Sequence, residues 1–146
     1  MGRTEVVSAQ NVTILADTLF EDACYNDADA LVLPGGSVGT DNLSAHMPLR
    51  SKLAEAYANG TLMAAICAAP MVFGRMGILE GKKATCYPGC ESDLFGATYT
   101  ATAVEQDGNI ITACGPGVSF DFGFAIVERI CGNEVVSTLR SQMQFK

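Results

Sequence analysis

The stretch LMAAICAAP, residues 62–70, decides the fold of this chain. A run of small and apolar residues, typical of a strand that is covered on both faces, ends at Cys67. The segment AAPMVFGRMG (68–77) predicts a helix that starts directly behind that strand and stops at Gly77. The pattern therefore predicts a strand-to-helix elbow at Cys67. It leaves two roles for this residue, a buried structural cysteine or a nucleophile.

Strands and helices alternate along the rest of the chain. ALVLPGG (30–36) and KATCYP (83–88) predict strands, and PLRSKLAEAYANG (48–60) predicts a helix with Gly60 just past its end. The remaining predicted elements are a strand at VTILAD (12–17), a hairpin over 99–115 that turns at Asp107-Gly108, an amphipathic helix over 118–132, and a last helix over 133–143 with Asn133 as its cap. This alternation predicts a single α/β domain, residues 1–146, in which helices cover both faces of a mainly parallel sheet.

Composition excludes several classes of function. The 146 residues are 49% hydrophobic and carry a net charge of -7, so we expect a packed core and no nucleic-acid partner. No apolar run approaches the length of a membrane span, and the first residues lack the apolar core of a signal peptide. The sequence therefore predicts a cytoplasmic protein without a membrane partner.

The six cysteines are predicted to be reduced thiols. Cys24, Cys67, Cys86 and Cys114 lie in or beside apolar runs, where a free cysteine packs as a small hydrophobe. The segment CYPGC (86–90) has paired cysteines, but the chain holds a single histidine, so a zinc site is not expected. We predict no metal and no cofactor.

Cys67 is the candidate nucleophile because an elbow presents its side chain at the carboxyl end of a strand, where α/β sheets bind ligands. A helix N-terminus beside a thiol favours the reactive thiolate. We therefore expect a strained backbone at Cys67 and the highest reactivity among the six thiols. The turn PGGSVG (34–39) lacks the lysine of a phosphate loop, and we expect Gly35 and Gly36 to let a ligand approach the backbone closely.

Four segments in this order and spacing resemble the ThiJ/PfpI family: ADALVLPGG (28–36), AAICAAP (64–70), VEQDGNIITACGPG (104–117) and SFDFGFAIVE (119–128). The resemblance implies a flavodoxin-like three-layer sandwich, a homodimer and a reactive elbow cysteine. It also implies glyoxalase or deglycase activity on small α-oxoaldehydes or glycated substrates. The alternative that it implies is a redox-responsive, chaperone-like protein whose elbow cysteine is oxidised without turnover.

The resemblance assigns roles to individual residues. Cys67 matches the family's reactive cysteine, and the backbone N–H groups of Gly36 and Ala68 match those that face an oxyanion or an oxidised sulfur. Tyr87 stands where the family often has a histidine, and a neutral tyrosine is a poor base that can donate a hydrogen bond. Ser37 and Val38 are expected to line the mouth of the site.

A second departure concerns the beginning of the chain. The resemblance starts almost at Met1, so the chain is expected to be N-terminally truncated relative to the family, without its first strand-helix-strand and the glutamate beside the elbow cysteine. Asp17 is not assigned that glutamate's role, since a turn or cap position is expected for it. His46 is expected on the solvated surface rather than in the site.

Overall fold

A computed structural model describes residues 2–145 of the protein. A four-stranded sheet lies at its centre, and the strand order is β3-β4-β8-β7. Three strands are parallel and the edge strand β7 is antiparallel, which confirms the predicted α/β fold with a mainly parallel sheet. These strands are β3 (Ala30–Leu33), β4 (Leu62–Ile66), β7 (Val104–Asp107) and β8 (Ile110–Ala113). The carboxyl ends of β3, β4 and β8 meet at one edge of the sheet.

Alternate residues of β4 point into two separate cores. Met63 and Ala65 are fully buried against α2 and α3, whereas Leu62 and Ala64 are buried against α4 on the opposite face. Helices thus cover both faces of the sheet, as expected for a three-layer sandwich. They are α1 (Ser37–Ala45), α2 (Met47–Ala58), α3 (Pro70–Arg75), α4 (Ser119–Cys131) and α5 (Asn133–Gln142).

The segment VTILAD does not lie at an edge of the central sheet. Its strand β2 (Thr13–Leu15) pairs with β1 (Glu5–Val7) in a separate antiparallel hairpin, and all six strand residues are exposed. A short apolar run predicts a strand equally well in a hairpin and in a buried sheet, so the predicted strand is present but the pattern did not show that it lies in a hairpin. A second small pair, β5 (Lys83–Ala84) with β6 (Thr98–Tyr99), is parallel.

Two local predictions are corrected, and one helix was missed. The hairpin between β7 and β8 turns at Gly108-Asn109, because Asp107 pairs with Ile110. Gly132, rather than Asn133, occupies the N-cap of α5, and its backbone N–H also closes the end of α4. Helix α1 was not predicted, because its residues have almost no amphipathic pattern. Among residues 2–145, no helix is long and apolar enough to cross a bilayer.

Candidate active site

Cys67 lies at a strained elbow between β4 and α3. Its φ of +65° is in the left-handed region, which costs a non-glycine residue about 1–3 kcal/mol. Two backbone hydrogen bonds hold it there: the Cys67 N–H donates to the Ala113 carbonyl at 2.9 Å, and the Tyr87 N–H donates to the Cys67 carbonyl at 2.8 Å. The predicted backbone strain at Cys67 is confirmed.

The two glycines after β3 serve different needs. A Cβ on Gly35 would lie 2.6 Å from the Cys67 Cβ and 2.9 Å from the Ile66 carbonyl oxygen, so only glycine fits against the elbow. Gly36 has open space around it, but its φ of +97° is rarely adopted by residues with a side chain. Packing therefore restricts Gly35, and backbone conformation restricts Gly36. The next residues, Ser37 and Val38, are exposed, and both begin α1.

The sequence predicted that the helix begins at Ala68, but Ala68 lies before it. Ala68 and Ala69 form a turn, and α3 begins at Pro70. Ala68 is buried, yet within residues 2–145 its N–H donates to no acceptor, and the same holds for the N–H of Gly36. Since buried N–H groups are nearly always paired, the unpaired N–H of the buried Ala68 suits a negatively charged oxygen bound beside Cys67. Gly36 is exposed, so its N–H is free to bind the same oxygen.

Tyr87 lies beside the elbow, where the family resemblance had placed it. In addition to the bond from its N–H to Cys67, its ring packs against the backbone of Gly115, at 3.4 Å from the position of an added Cβ. The side chain of Tyr87 is 49% exposed.

Three further thiols surround the elbow, and sequence reasoning had not placed them in the site. Burial, followed by the charges of neighbouring groups that include Cys90, Cys114 and Cys67, raises the pKa of Cys86 to about 12. These thiols could have been assigned to the site from their positions after strands, because Cys114 directly follows β8, and Cys86 and Cys90 follow β5. All six cysteines are free, but Cys24 and Cys131 are exposed, so the expectation that Cys24 packs in the core was wrong. No group of three or more metal-ligating side chains was found in the part of the chain that the structure describes.

Glu91 is a carboxylate beside this group of thiols, and sequence reasoning missed it. Both of its oxygens accept from the Gly89 N–H at 2.9 Å, and this bond is the first reason that the pKa of Glu91 is lowered. Burial, followed by the charge of Glu91, raises the pKa of the Tyr99 hydroxyl. Asp17, by contrast, is exposed just after the hairpin strand β2.

Arg75 ties the segments around the site together. Its guanidinium binds the Asp93 carboxylate at 2.6 Å, the Asp41 carboxylate at 3.2 Å and the Ser44 hydroxyl at 3.0 Å. These bonds join α3 to α1 and to the short 3-10 helix Glu91–Asp93, which follows Cys90. The segment that carries Cys90 is thereby fixed to the helix behind the elbow.

His46 has a structural role. It is half-buried, its Nδ1 accepts from the Leu49 N–H at 3.2 Å, and its ring meets the edge of Phe20. It therefore caps the N-terminus of α2, and the expectation of a solvated surface position was wrong.

Comparison with known proteins identifies the family of this chain. The sequence profile described as the DJ-1/PfpI family matches residues 1–129. The chain belongs to the DJ-1/PfpI family. Its similarity to the Parkinson disease protein 7 homolog of Danio rerio is 34% identity over 149 residues, which covers 99% of this chain and 79% of that relative.

Members of the DJ-1/PfpI family differ in length. The protein DJ-1 homolog B of Arabidopsis thaliana is 40% identical over 131 residues, and the match covers 88% of this chain but 30% of that relative. The crystal structure of DJ-1beta from Drosophila melanogaster superposes with a TM-score of 0.90 at 32% identity, covering 97% of this chain and 77% of that one. These likenesses establish the flavodoxin-like α/β fold of the family for this chain.

Proposed function

We propose that the protein is a cysteine-dependent glyoxalase or deglycase, which converts small α-oxoaldehydes, or their adducts on proteins, to hydroxy acids. The observation that carries the proposal is the strained Cys67 beside two N–H groups without acceptors, those of Gly36 and Ala68. Such a site combines a nucleophile with donors for the oxyanion that forms when a carbonyl is attacked. No cofactor is needed for this chemistry.

The reaction begins when the Cys67 sulfur bonds to the aldehyde carbon, and the carbonyl oxygen becomes an oxyanion that the Gly36 and Ala68 N–H groups stabilise. The proton on the former aldehyde carbon then moves to the neighbouring carbonyl carbon, and the oxyanion re-forms a C=O double bond. The former ketone oxygen takes up the proton that the Cys67 thiol released, which leaves a thioester of the hydroxy acid. Water hydrolyses the thioester and restores the thiol. Tyr87 donates a hydrogen bond to substrate oxygen during these steps, since its hydroxyl is a weak base.

The test is turnover of methylglyoxal, followed by the appearance of lactate. We expect Cys67→Ser to abolish turnover, because a serine hydroxyl at this position is a far weaker nucleophile. Cys131→Ser is the matched control, since Cys131 is an exposed thiol at the end of α4, and this variant should keep full activity. Equal turnover in the wild type and in Cys67→Ser would contradict the proposal.

A second function is a redox-responsive, chaperone-like protein without turnover. One observation favours it: within residues 2–145, no carboxylate is hydrogen-bonded to Cys67, so the site has no evident base. The same two N–H groups suit the oxygens of a sulfinic acid, which needs no base. Background turnover of methylglyoxal, together with suppression of client-protein aggregation that depends on Cys67 oxidation, would favour this function.

We also propose that the protein acts as a cytoplasmic homodimer. The six free thiols are compatible with a reducing compartment. The hairpin of β1 and β2 exposes apolar side chains that a second copy could cover: Val6, Val7, Val12, Ile14 and Leu15. Sedimentation at twice the chain mass of 15.3 kDa would support the dimer, and Ile14→Asp should return the protein to the monomer mass. A monomeric wild type would contradict it.

A further inference from the structure

Arg75 is connected to the elbow by a continuous series of bonds. Its guanidinium donates to the Asp93 carboxylate from Nε at 3.1 Å and from a terminal nitrogen at 2.6 Å. The following bonds join main-chain atoms: the Asp93 N–H donates to the Cys90 carbonyl at 3.2 Å, and the Cys90 N–H donates to the Tyr87 carbonyl at 3.0 Å. The last bond runs from the Tyr87 N–H to the Cys67 carbonyl at 2.8 Å. The series therefore ends on the strained residue itself.

Gly74 allows Arg75 to reach Asp93. A Cβ on Gly74 would lie 2.7 Å from the Leu94 Cα and would also overlap the Asp93 carbonyl oxygen. Helix α3 can lie directly against the backbone of residues 93–94 because this position has no side chain. The side chains of Arg75 and Asp93 are then only 29% and 28% exposed, so water screens this ion pair less than a pair on the surface.

The same guanidinium has a second carboxylate partner, which lies outside this series of bonds. Asp41, on α1, accepts from Arg75 at 3.2 Å, but its side chain is 68% exposed. An ion pair with so exposed a carboxylate adds little to the fixation of the guanidinium. Asp93 is therefore the partner through which Arg75 can act on the elbow.

We propose that Arg75 is a positioning residue for Cys67. Through Asp93 it holds the segment 87–93 in place, so that the Tyr87 N–H stays on the carbonyl of the elbow. A φ of +65° is disfavoured for a residue with a side chain, and it persists only where the surrounding bonds impose it. The inference rests on the proposed function in one respect, that Cys67 is the reactive thiol of the chain.

Loss of the guanidinium has an effect opposite in sign to that of simple destabilisation. Without Arg75, the Asp93 carboxylate turns toward water, the segment shifts, and the elbow loses one of the bonds that impose its conformation. The Cys67 sulfur then moves away from the unpaired N–H of Ala68, and its reaction in the folded protein becomes slower. A purely structural contact would leave this rate unchanged or increase it, because a less stable protein opens more often and exposes its thiols.

The experiment measures the rate at which iodoacetamide alkylates Cys67 in the folded full chain, read by peptide mapping well below the Tm of each variant. We expect Arg75→Leu to lower this rate roughly tenfold. Arg75→Lys should recover most of it, because an ammonium group can still pair with Asp93. Asp41→Ala is the matched control, since it removes a carboxylate from the same guanidinium outside the series, and it should keep the wild-type rate. The exposed Cys131 is the reference thiol in every sample, and its rate should not change.

Turnover of methylglyoxal gives a second measurement. We expect Arg75→Leu to lower kcat and to leave KM unchanged, because a displaced sulfur weakens the transition state without weakening substrate binding. Arg75→Lys should restore kcat in parallel with the alkylation rate of Cys67.

Three results would overturn the positioning role: a Cys67 alkylation rate in Arg75→Leu that equals or exceeds the wild-type rate, no recovery in Arg75→Lys, or equal slowing in Asp41→Ala. Failure of the proposed function has a different signature. Absence of methylglyoxal turnover in the wild type, together with slower alkylation in Arg75→Leu, overturns the carbonyl chemistry alone. A wild-type Cys67 that does not react with iodoacetamide overturns the premise of both proposals.

Discussion

Gly35→Ala is expected to displace the elbow and to slow the chemistry of Cys67. The new Cβ would lie 2.6 Å from the Cys67 Cβ and 3.2 Å from its Sγ, whereas ordinary contact begins at 3.4 Å. The atoms that must move belong to the elbow and to the Ile66 carbonyl rather than to the end of a flexible side chain. Such overpacking costs about 1–3 kcal/mol, and a movement of roughly 1 Å at a reacting atom can reduce rates by about a hundredfold.

Two measurements test this expectation. For a chain of this size, about 2 kcal/mol corresponds to a fall in Tm of about 4–8 °C, which thermal unfolding detects. The rate of Cys67 alkylation by iodoacetamide, read by peptide mapping, should fall at least about tenfold. Gly39→Ala is the matched control, because Gly39 lies in α1 with open space around it, and alanine there should stabilise the helix by up to about 1 kcal/mol. Unchanged Tm and alkylation in Gly35→Ala would refute the packing argument.

Three further predictions follow from the site. Because burial raises the pKa of Cys86 from 9.0 to about 12, the unfolded chain ionises this thiol first, so stability falls as pH rises through that window. Between pH 8 and 10.5, the free energy of unfolding of the wild type in urea should fall by up to about 2 kcal/mol more than that of Cys86→Ala. The same pH dependence in both proteins would contradict this. Replacing Arg75 by leucine should lower stability by about 1–3 kcal/mol in thermal unfolding, because the half-buried Asp93 loses its charged partner. Replacing Lys52 by leucine should cost under about 0.5 kcal/mol, because its partner Glu55 is exposed and stays solvated. Equal losses in the two variants would refute the argument that the burial of the carboxylate decides the cost. Tyr87→His should raise methylglyoxal turnover at neutral pH by supplying a base, whereas a slower variant would show that the tyrosine hydroxyl itself is needed.

The elbow could be predicted from sequence because the information is local. Small apolar residues before Cys67 and a helical segment after it are contiguous, and the strained backbone follows from that junction. The hairpin could not be placed, since β2 has the same apolar composition as a buried strand while its partner β1 is three residues long. Local periodicity indicates whether a segment is a helix or a strand, but it does not show which elements that segment packs against.

The surroundings of Cys67 depended on contacts that local patterns do not encode. Cys90 comes near the elbow through a turn, and Cys114 through the register that pairs Ile66 with Ala113. His46 was misassigned because its capping bond and its contact with Phe20 are tertiary features. Residues that gather from different strands at one sheet edge become visible only when the strand order is known.

The elbow is positioned by main-chain atoms of other segments: the carbonyl of Ala113, the N–H of Tyr87 and the bare Cα of Gly35. None of these contacts depends on the identity of a side chain around the mouth of the site. Evolution can therefore exchange the acids, bases and thiols that face the sulfur while the sulfur itself stays in place. Tyr87 can then be exchanged for another side chain while the backbone that holds the sulfur stays unchanged, because Tyr87 contributes its N–H and not its hydroxyl to the elbow.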